Sequence, residues 1–196
     1  MMENTIKKKK IVVGMSGASG AILGINLLRI LKERPDYESH LVISKGAEET
    51  IYQETKYKVS DVMDLADCIY DIKNIGGKIA SGTFRTEGMI IIPCSMKTVA
   101  GIATGYSDNL LLRAADVTLK EGRTLVVVPR ETPLSSIHLR NMLTLSQAGA
   151  ILIPPMITYY NDPYSVDDMN THIIGKVLEK FHIELDGFKR WGEDVW

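Results

Sequence analysis

Residues 11–31, IVVGMSGASGAILGINLLRIL, constrain the fold more than any other stretch. Ile11, Val12 and Val13 form the apolar β-branched run that a strand covered on both faces requires. Gly14, Gly17 and Gly20 then recur every third residue. After them Ile22, Leu23, Leu27, Leu28, Ile30 and Leu31 cover a helical face and part of its flanks. Strand, glycine turn and helix in direct succession open a βα unit, and a chain that repeats such units folds as a parallel sheet between helical layers.

The turn also suggests chemistry. A helix N-terminus behind a glycine- and hydroxyl-bearing loop presents free N–H groups and the positive end of the helix dipole to an anion. The first expectation is the phosphate of a nucleotide-like ligand at residues 14–21; the alternative is a tight turn without a ligand. Ser16 and Ser19 supply hydroxyls, and either can cap the helix. The spacing is G-x-x-G-x-x-G. It matches neither the dinucleotide G-x-G-x-x-G nor the Walker G-x-x-x-x-G-K-[ST], and no acidic ribose residue follows the second strand.

The pattern repeats down the chain. Residues 38–44 (ESHLVIS) read as a second strand, with Ser44 at its carboxyl end as ligand contact or helix cap, before a helix over 47–55. Glu54 ends that helix, and a lone Glu is ordinarily a solvated carboxylate. A short helix over 60–66 is expected with Ser60 as its cap. An edge strand over 68–72 and a loop with one helical turn over 75–85 follow. GMIIIP, 88–93, is the most apolar strand and so the central one; Cys94, Ser95, Met96, Lys97 and Thr98 follow it and open the next helix. Cys94 is either a nucleophile or, more in keeping with its small apolar character, a buried packing residue. A helix over 109–121 carries Arg113 and Lys120. Strand TLVVVP ends at Arg130 and Glu131, which either grip an oxygen-rich anion or brace the loop as a pair. A helix over 134–148, a strand over 150–153, a proline-bounded aromatic loop over 156–163, and a helix opened by Ser165 with Asp168 in the capping-box position complete the pattern.

Composition excludes several classes. The net charge is −1 and no long basic surface is encoded, so nucleic acid is not an expected partner. No apolar run approaches the roughly 20 residues of a membrane helix, and no signal-peptide core opens the chain. Cys68 and Cys94 form no C-x-x-C, which fits a reducing, cytoplasmic setting without disulfides. The histidines, at 40, 138, 172 and 182, show no metal-ligand spacing, and no structural metal is expected. The 196 residues read as a basic tail, 1–10, and one domain, 11–196.

Taken in order, GMSGASGA, LVIS-K, PCSMKT, RAADVTLKEGR, VPRETPLSSIHLRNM, PPMITYYNDP and RWGE resemble the UbiX-like flavin prenyltransferases, whose members are often named as a component of an aromatic-acid decarboxylase. The resemblance spans 11–193. It implies a three-layer, Rossmann-like (flavodoxin-like) α/β flavoprotein that assembles as a homo-oligomer, a dodecamer by the same resemblance. It implies a metal-independent transfer of a dimethylallyl group from dimethylallyl phosphate to N5 and C6 of reduced FMN. The product then serves a partner decarboxylase of the UbiD type. Carried over by motif, Gly17, Ala18, Ser19, Ser44, Ser95, Met96, Lys97, Thr98 and Arg130 hold FMN. Tyr160 and Lys176 hold the prenyl phosphate with Lys120, Arg130 and Glu131. Ser19 and Glu54 handle protons, and Trp191 walls the prenyl site. Some relatives carry Arg at the position of Lys176; lysine keeps the charge and loses the bidentate fork. The competing readings are a flavin-dependent decarboxylase acting directly, which needs a His that the glycine and hydroxyl turns lack, and a non-catalytic FMN-binding accessory protein, which needs no second anion pocket.

Overall fold

A computed structural model describes residues 8–193. Six strands, β1 (Lys9–Met15), β2 (Tyr37–Ile43), β3 (Cys68–Tyr70), β4 (Gly88–Cys94), β5 (Thr124–Pro129) and β6 (Ile151–Leu152), form one sheet in the order β3-β2-β1-β4-β5-β6. Every pairing is parallel. Parallel neighbours need crossover helices. These are α1 (Ala21–Lys32), α2 (Lys45–Glu54), α3 (Val59–Met63), α4 (Met96–Ala103), α5 (Leu110–Lys120) and α6 (Ser136–Gln147); α7 (Val166–Leu178) follows the last strand and packs back on the sheet.

The pleat sends successive side chains to opposite faces, and both faces are covered. Ile11, Val13, Met15, Ile90, Ile92, Val126 and Val128 pack with Leu27 and Leu28 of α1 and Ile174 and Val177 of α7. Val12, Met89, Ile91, Leu125 and Val127 pack with Val99 of α4, Leu111 and Ala114 of α5, and Leu145 of α6. All seven residues of β4 are buried, as its composition requires of a central strand.

Several boundaries differ from the sequence reading; α2 starts at Lys45 and α6 at Ser136 rather than at 47 and 134, and β3 and β6 are shorter than expected. β1 starts at Lys9, because Lys9 and Lys10 pair in register with Tyr37 and Glu38; of the expected tail, residues 1–7 lie outside the described part. α3 starts after Lys58 rather than Ser60, because the Asp61 carboxylate accepts from the Lys58 N–H at 3.1 Å and closes the first turn there. α7 stops at Leu178 and passes into a 3-10 turn, Glu179–Phe181.

The chain leaves β1 toward β2 and β3, then returns to the other side of β1 at β4. The two loops at this reversal diverge beyond the strands and leave a crevice. They are held at a fixed spacing. Ser16, 1% exposed, accepts from the Ser95 N–H at 2.8 Å and so ties the β1 loop to the β4 loop. On the other side, a Cβ on Gly17 would lie 2.9 Å from the backbone of Gly46 at the start of α2, closer than any side chain allows. The glycine at 17 thus serves backbone-on-backbone contact. Gly17→Ala should cost about 1–3 kcal/mol by overpacking, and Gly46→Ala less, since its Cβ would meet Gly17 at 3.2 Å. Urea midpoints at unchanged slope measure this; equal values for both variants and wild type would show that the two loops are not in contact.

Candidate active site

The crevice at the reversal has a volume of about 600 Å³ and is lined by Gly17, Ser44, Gly46, Ser95, Lys97 and Thr98, with Tyr106, Asp108 and Asn109 on its rim. Two helices point their N-termini into it. Ser44 caps α2 by accepting from the Ala47 N–H at 3.2 Å. Ser95 caps α4 by accepting from the Thr98 N–H at 3.3 Å, and its hydroxyl lies 3.1 Å from that of Thr98. The two readings of Ser44, cap and ligand contact, therefore coincide, since a cap at this place also faces the crevice. Two dipole ends with Lys45 and Lys97 beside them make the crevice floor an anion site.

The N-terminus of α1 is different. Neither Ser16 nor Ser19 caps it; Gly20, with φ of 103°, occupies the cap position. Its first amides are taken by the chain itself. Glu54 Oε2 accepts from the Gly20 N–H at 2.8 Å and the Ala21 N–H at 3.1 Å. At residues 14–21 the chain thus supplies its own anion, a carboxylate delivered from the end of α2, whereas the N-termini of α2 and α4 face the crevice. Partial burial pushes the Glu54 carboxyl up. The Gly20 amide, the Ser19 hydroxyl and the Ala21 amide outweigh that, with the Arg130 charge adding to them, and hold it below its ordinary value. Ser19, Glu54 and Arg130 therefore form one electrostatic group, with Ser19 two residues beyond Gly17 of the crevice.

Arg130 and Glu131 sit at the carboxyl end of β5. The Arg130 N–H donates to the Cys94 carbonyl at 3.0 Å, which holds this loop against β4. Glu131 folds onto its own loop, accepting from the Thr132 N–H at 3.1 Å. With Pro154, Pro155 and Met156 they line a second cavity of about 260 Å³.

The remaining expected residues lie elsewhere in the chain. Tyr160, Lys176 and Trp191 gather on α7 around His172: the Tyr160 hydroxyl is 3.2 Å from His172 Nε2, and its ring stands edge-on to those of His172 and Trp191 at 5.5 and 5.2 Å. Lys176 is one turn beyond His172 and pairs with Glu179 at 3.2 Å. α7 descends the sheet, for Phe181 packs on Gly88, the first residue of β4. Lys176 lies roughly 8 Å along the axis from that level, whereas β4 runs about 20 Å to the crevice. Lys120 is farther still. It ends α5, four residues before β5 begins, and pairs with Glu121 at 2.5 Å at the amino end of the sheet. One chain therefore does not bring Lys120 and Lys176 together with Arg130 and Glu131, and the Tyr160 hydroxyl is turned to His172.

One further expectation changes. Met96 turns its side chain into the core, 8% exposed, and offers the crevice no side chain, because as the first residue of α4 it lies on the helix face packed against the sheet. Cys94 is fully buried and its thiol is pushed up to about 12 by that burial, so it is a packing residue. Sequence reasoning passed over Gly46 and His172. The signals were present: a glycine at the start of α2 three residues into a strand-to-helix turn, and a histidine one helical turn before Lys176.

A doubly wound parallel sheet with two helix N-termini over a crevice at the strand reversal defines a nucleotide- or flavin-binding α/β protein. The Flavoprotein family model matches residues 2–179, and the chain belongs to that family. Within it the chain is a UbiX-like flavin prenyltransferase. It is 52% identical over 182 residues to a probable UbiX-like flavin prenyltransferase of Sedimentibacter hydroxybenzoicus, covering 93% of this chain and 96% of that protein. It superposes with TM-score 0.91 and 54% identity on a dodecameric FMN-dependent UbiX-like decarboxylase from Escherichia coli O157:H7, over 93% of this chain and 98% of that one. It superposes with TM-score 0.92 and 48% identity on AnUbiX (PadA1) in complex with FMN and dimethylallyl pyrophosphate, over 95% and 98%.

The Glu54 contact has a pH signature. Its carboxyl is held below the ordinary 4.5, so its contribution is present above that pH and is lost as pH falls through the lower folded value. Glu54→Gln removes the charge from the α1 N-terminus, worth about 0.3–1 kcal/mol at an exposed site. The variant should be less stable than wild type at pH 7, and the gap should close on acidification below 4.5. Chemical denaturation at both pH values measures it; a pH-independent gap would mean that the carboxylate charge does not act on the helix.

Proposed function

We propose that this chain transfers the dimethylallyl group of dimethylallyl phosphate to N5 and C6 of reduced FMN, without a metal, and that the product serves a UbiD-type decarboxylase in the cytoplasm. The observation that carries this reading is the pair of serine-capped helix N-termini over the crevice, with the Ser19, Glu54 and Arg130 group joined to it through the Gly17 turn. The AnUbiX complex with FMN and dimethylallyl pyrophosphate supports it.

The residues divide by task. Ser44, Ser95, Lys97 and Thr98, with the first amides of α2 and α4, hold the FMN phosphate. Gly17, Ala18 and Ser19 line the flavin. When bound, reduced FMN supplies an electron-rich ring to the allylic carbon. Breaking the allylic C–O bond leaves negative charge on phosphate, which Arg130 meets with its guanidinium. The exposed Trp191 ring, which stands against Tyr160 and reaches the site across a contact between copies, offers its face to the cation-like allyl fragment. Glu54 Oε2, ionised on the α1 amides, accepts the C6 proton, and Ser19 relays it.

Tyr160, Lys176 and Lys120 reach a prenyl phosphate bound at Arg130 and Glu131 only across contacts between copies, which the dodecameric relative makes available in principle. Tyr160 is prepared as a donor. His172 is buried and stays neutral, because burial and then the Lys176 charge push it down. Its Nδ1 has no partner. A buried donor without a partner is rarer than a bare acceptor, so the ring hydrogen sits on Nε2 and is donated to the Tyr160 oxygen. The phenol hydrogen is then free for phosphate.

Incubation with reduced FMN and dimethylallyl phosphate should yield an extractable flavin heavier by one dimethylallyl unit in place of hydrogen. Glu54→Gln should form it about 10²–10⁴ times more slowly while still binding FMN. Mass spectrometry of the released flavin decides; unmodified FMN from the wild type would overturn the reading.

Tyr160→Phe and Lys176→Ala should each raise the KM for dimethylallyl phosphate about ten- to a hundredfold, as loss of a hydrogen bond to a charged group does. FMN affinity should hold, His172→Phe should act like Tyr160→Phe, and Lys176→Arg should recover most of the loss. Equal loss of FMN affinity in these variants would mean that the α7 cluster is structural.

A further inference from the structure

No residue of β2 or β3 lines the crevice, which on this side is lined only by Ser44, Lys45, Gly46 and Ile72 beyond the strand ends. Side chains alternate along β2, so Glu38 and His40 share a face, and parallel register sets His40 opposite Cys68 and Val42 opposite Tyr70 on β3. One ligand atom from each of Glu38, His40 and Cys68 lies within 4.8 Å of the other two; among the described residues no other such group of three occurs. His40 is 1% exposed, and its Nε2 is 2.8 Å from Glu38 Oε1 without an aligned hydrogen bond. The Cys68 thiol donates to the same oxygen at 3.8 Å. A nitrogen and a sulfur thus crowd one carboxylate oxygen. Behind the ring, Nδ1 is 2.9 Å from the Tyr70 hydroxyl, and Phe84 packs edge-on at 5.2 Å.

We propose that Glu38, His40 and Cys68 bind Zn²⁺ or another borderline divalent cation, at a site separate from the flavin crevice. Imidazole, thiolate and carboxylate together suit Zn²⁺ and exclude the hard cations Mg²⁺ and Ca²⁺. Zinc bonds of about 2.0–2.3 Å set tetrahedral ligands roughly 3.3–3.8 Å apart. The present contacts of 2.8 and 3.8 Å need only a small swing of Glu38, whose side chain is 27% exposed. Water takes the open fourth position.

The protons balance. His40 gives up its Nε2 hydrogen and takes one on Nδ1, now donated to the Tyr70 oxygen, so the ring stays neutral. The Cys68 thiol releases one proton to solvent as its sulfur becomes a ligand. Tyr70 then plays the outer partner that orients a ligating histidine, and its phenol, pushed up to about 12 by burial, keeps its own hydrogen. Lys10 and Lys78 oppose a second cation here, but Asp67 and Glu38 also act on these groups, and Lys10 Nζ is drawn away over the Phe84 ring at 4.4 Å. The bound ion would clamp the three-residue edge strand β3 to β2.

Cobalt(II), a spectroscopic stand-in for zinc, tests the site on the full-length protein after treatment with chelator. One equivalent per chain should give visible bands of tetrahedral strength and a near-ultraviolet thiolate-to-metal band, both abolished by Zn²⁺. Cys68→Ser should lose the thiolate band and prenylate FMN at the wild-type rate. Tyr70→Phe should weaken Zn²⁺ about ten- to a hundredfold. If Cys68→Ser does not fold, Glu38→Gln, which alters a partly exposed side chain, should show the same weakening of Co²⁺. Weak octahedral spectra alone, or a thiolate band that survives Cys68→Ser, would overturn the proposal.

Discussion

Everything at the crevice depends on how closely the β1 loop approaches its neighbours. Gly17 meets Gly46 backbone to backbone on one side, and Ser16 accepts from the Ser95 amide on the other. These two contacts fix the distance between the N-termini of α2 and α4. A flat anionic ligand is held by that spacing more than by any single side chain, because the amides and dipoles that grip it belong to the backbone. The glycines of the turn, which read first as room for a ligand, are in large part room for another loop.

Glu54 shows how one side chain couples stability to chemistry. It satisfies two amides that begin α1, and the same amides keep it ionised beside Ser19 and Arg130. A carboxylate is readily kept ionised by the helix N-terminus it closes. The arrangement also means that the positive end of α1 is already neutralised by the chain itself.

The second anion set is divided. Arg130 and Glu131 stand at the carboxyl end of β5, Tyr160 and Lys176 gather on α7, and Lys120 ends α5 at the opposite side of the sheet. Within one chain the groups at the carboxyl end of β5 and those beside α7 therefore stand apart. The exposed apolar residues Ile137, Leu139 and Leu143 on α6 are consistent with a chain that works in contact with copies of itself.

The sequence by itself determined the alternation of strands and helices, the central place of β4, and the opening of α7 by Ser165, because period, apolar runs and caps are local in the chain. It also carried the ordered motifs that mark the family. Tertiary structure alone decided that Glu54 closes α1 from 34 residues away, that Met96 turns inward while Lys97 faces the crevice, and that His172 sets the hydroxyl of Tyr160. It also decided that His40 meets Glu38 and Cys68 across a strand register, and that Lys120 is remote from Arg130 within one chain. These outcomes depend on which strand lies beside which, and on the level of the sheet at which each helix ends. Parallel crossovers set both through packing between segments distant in sequence, where no local pattern records them.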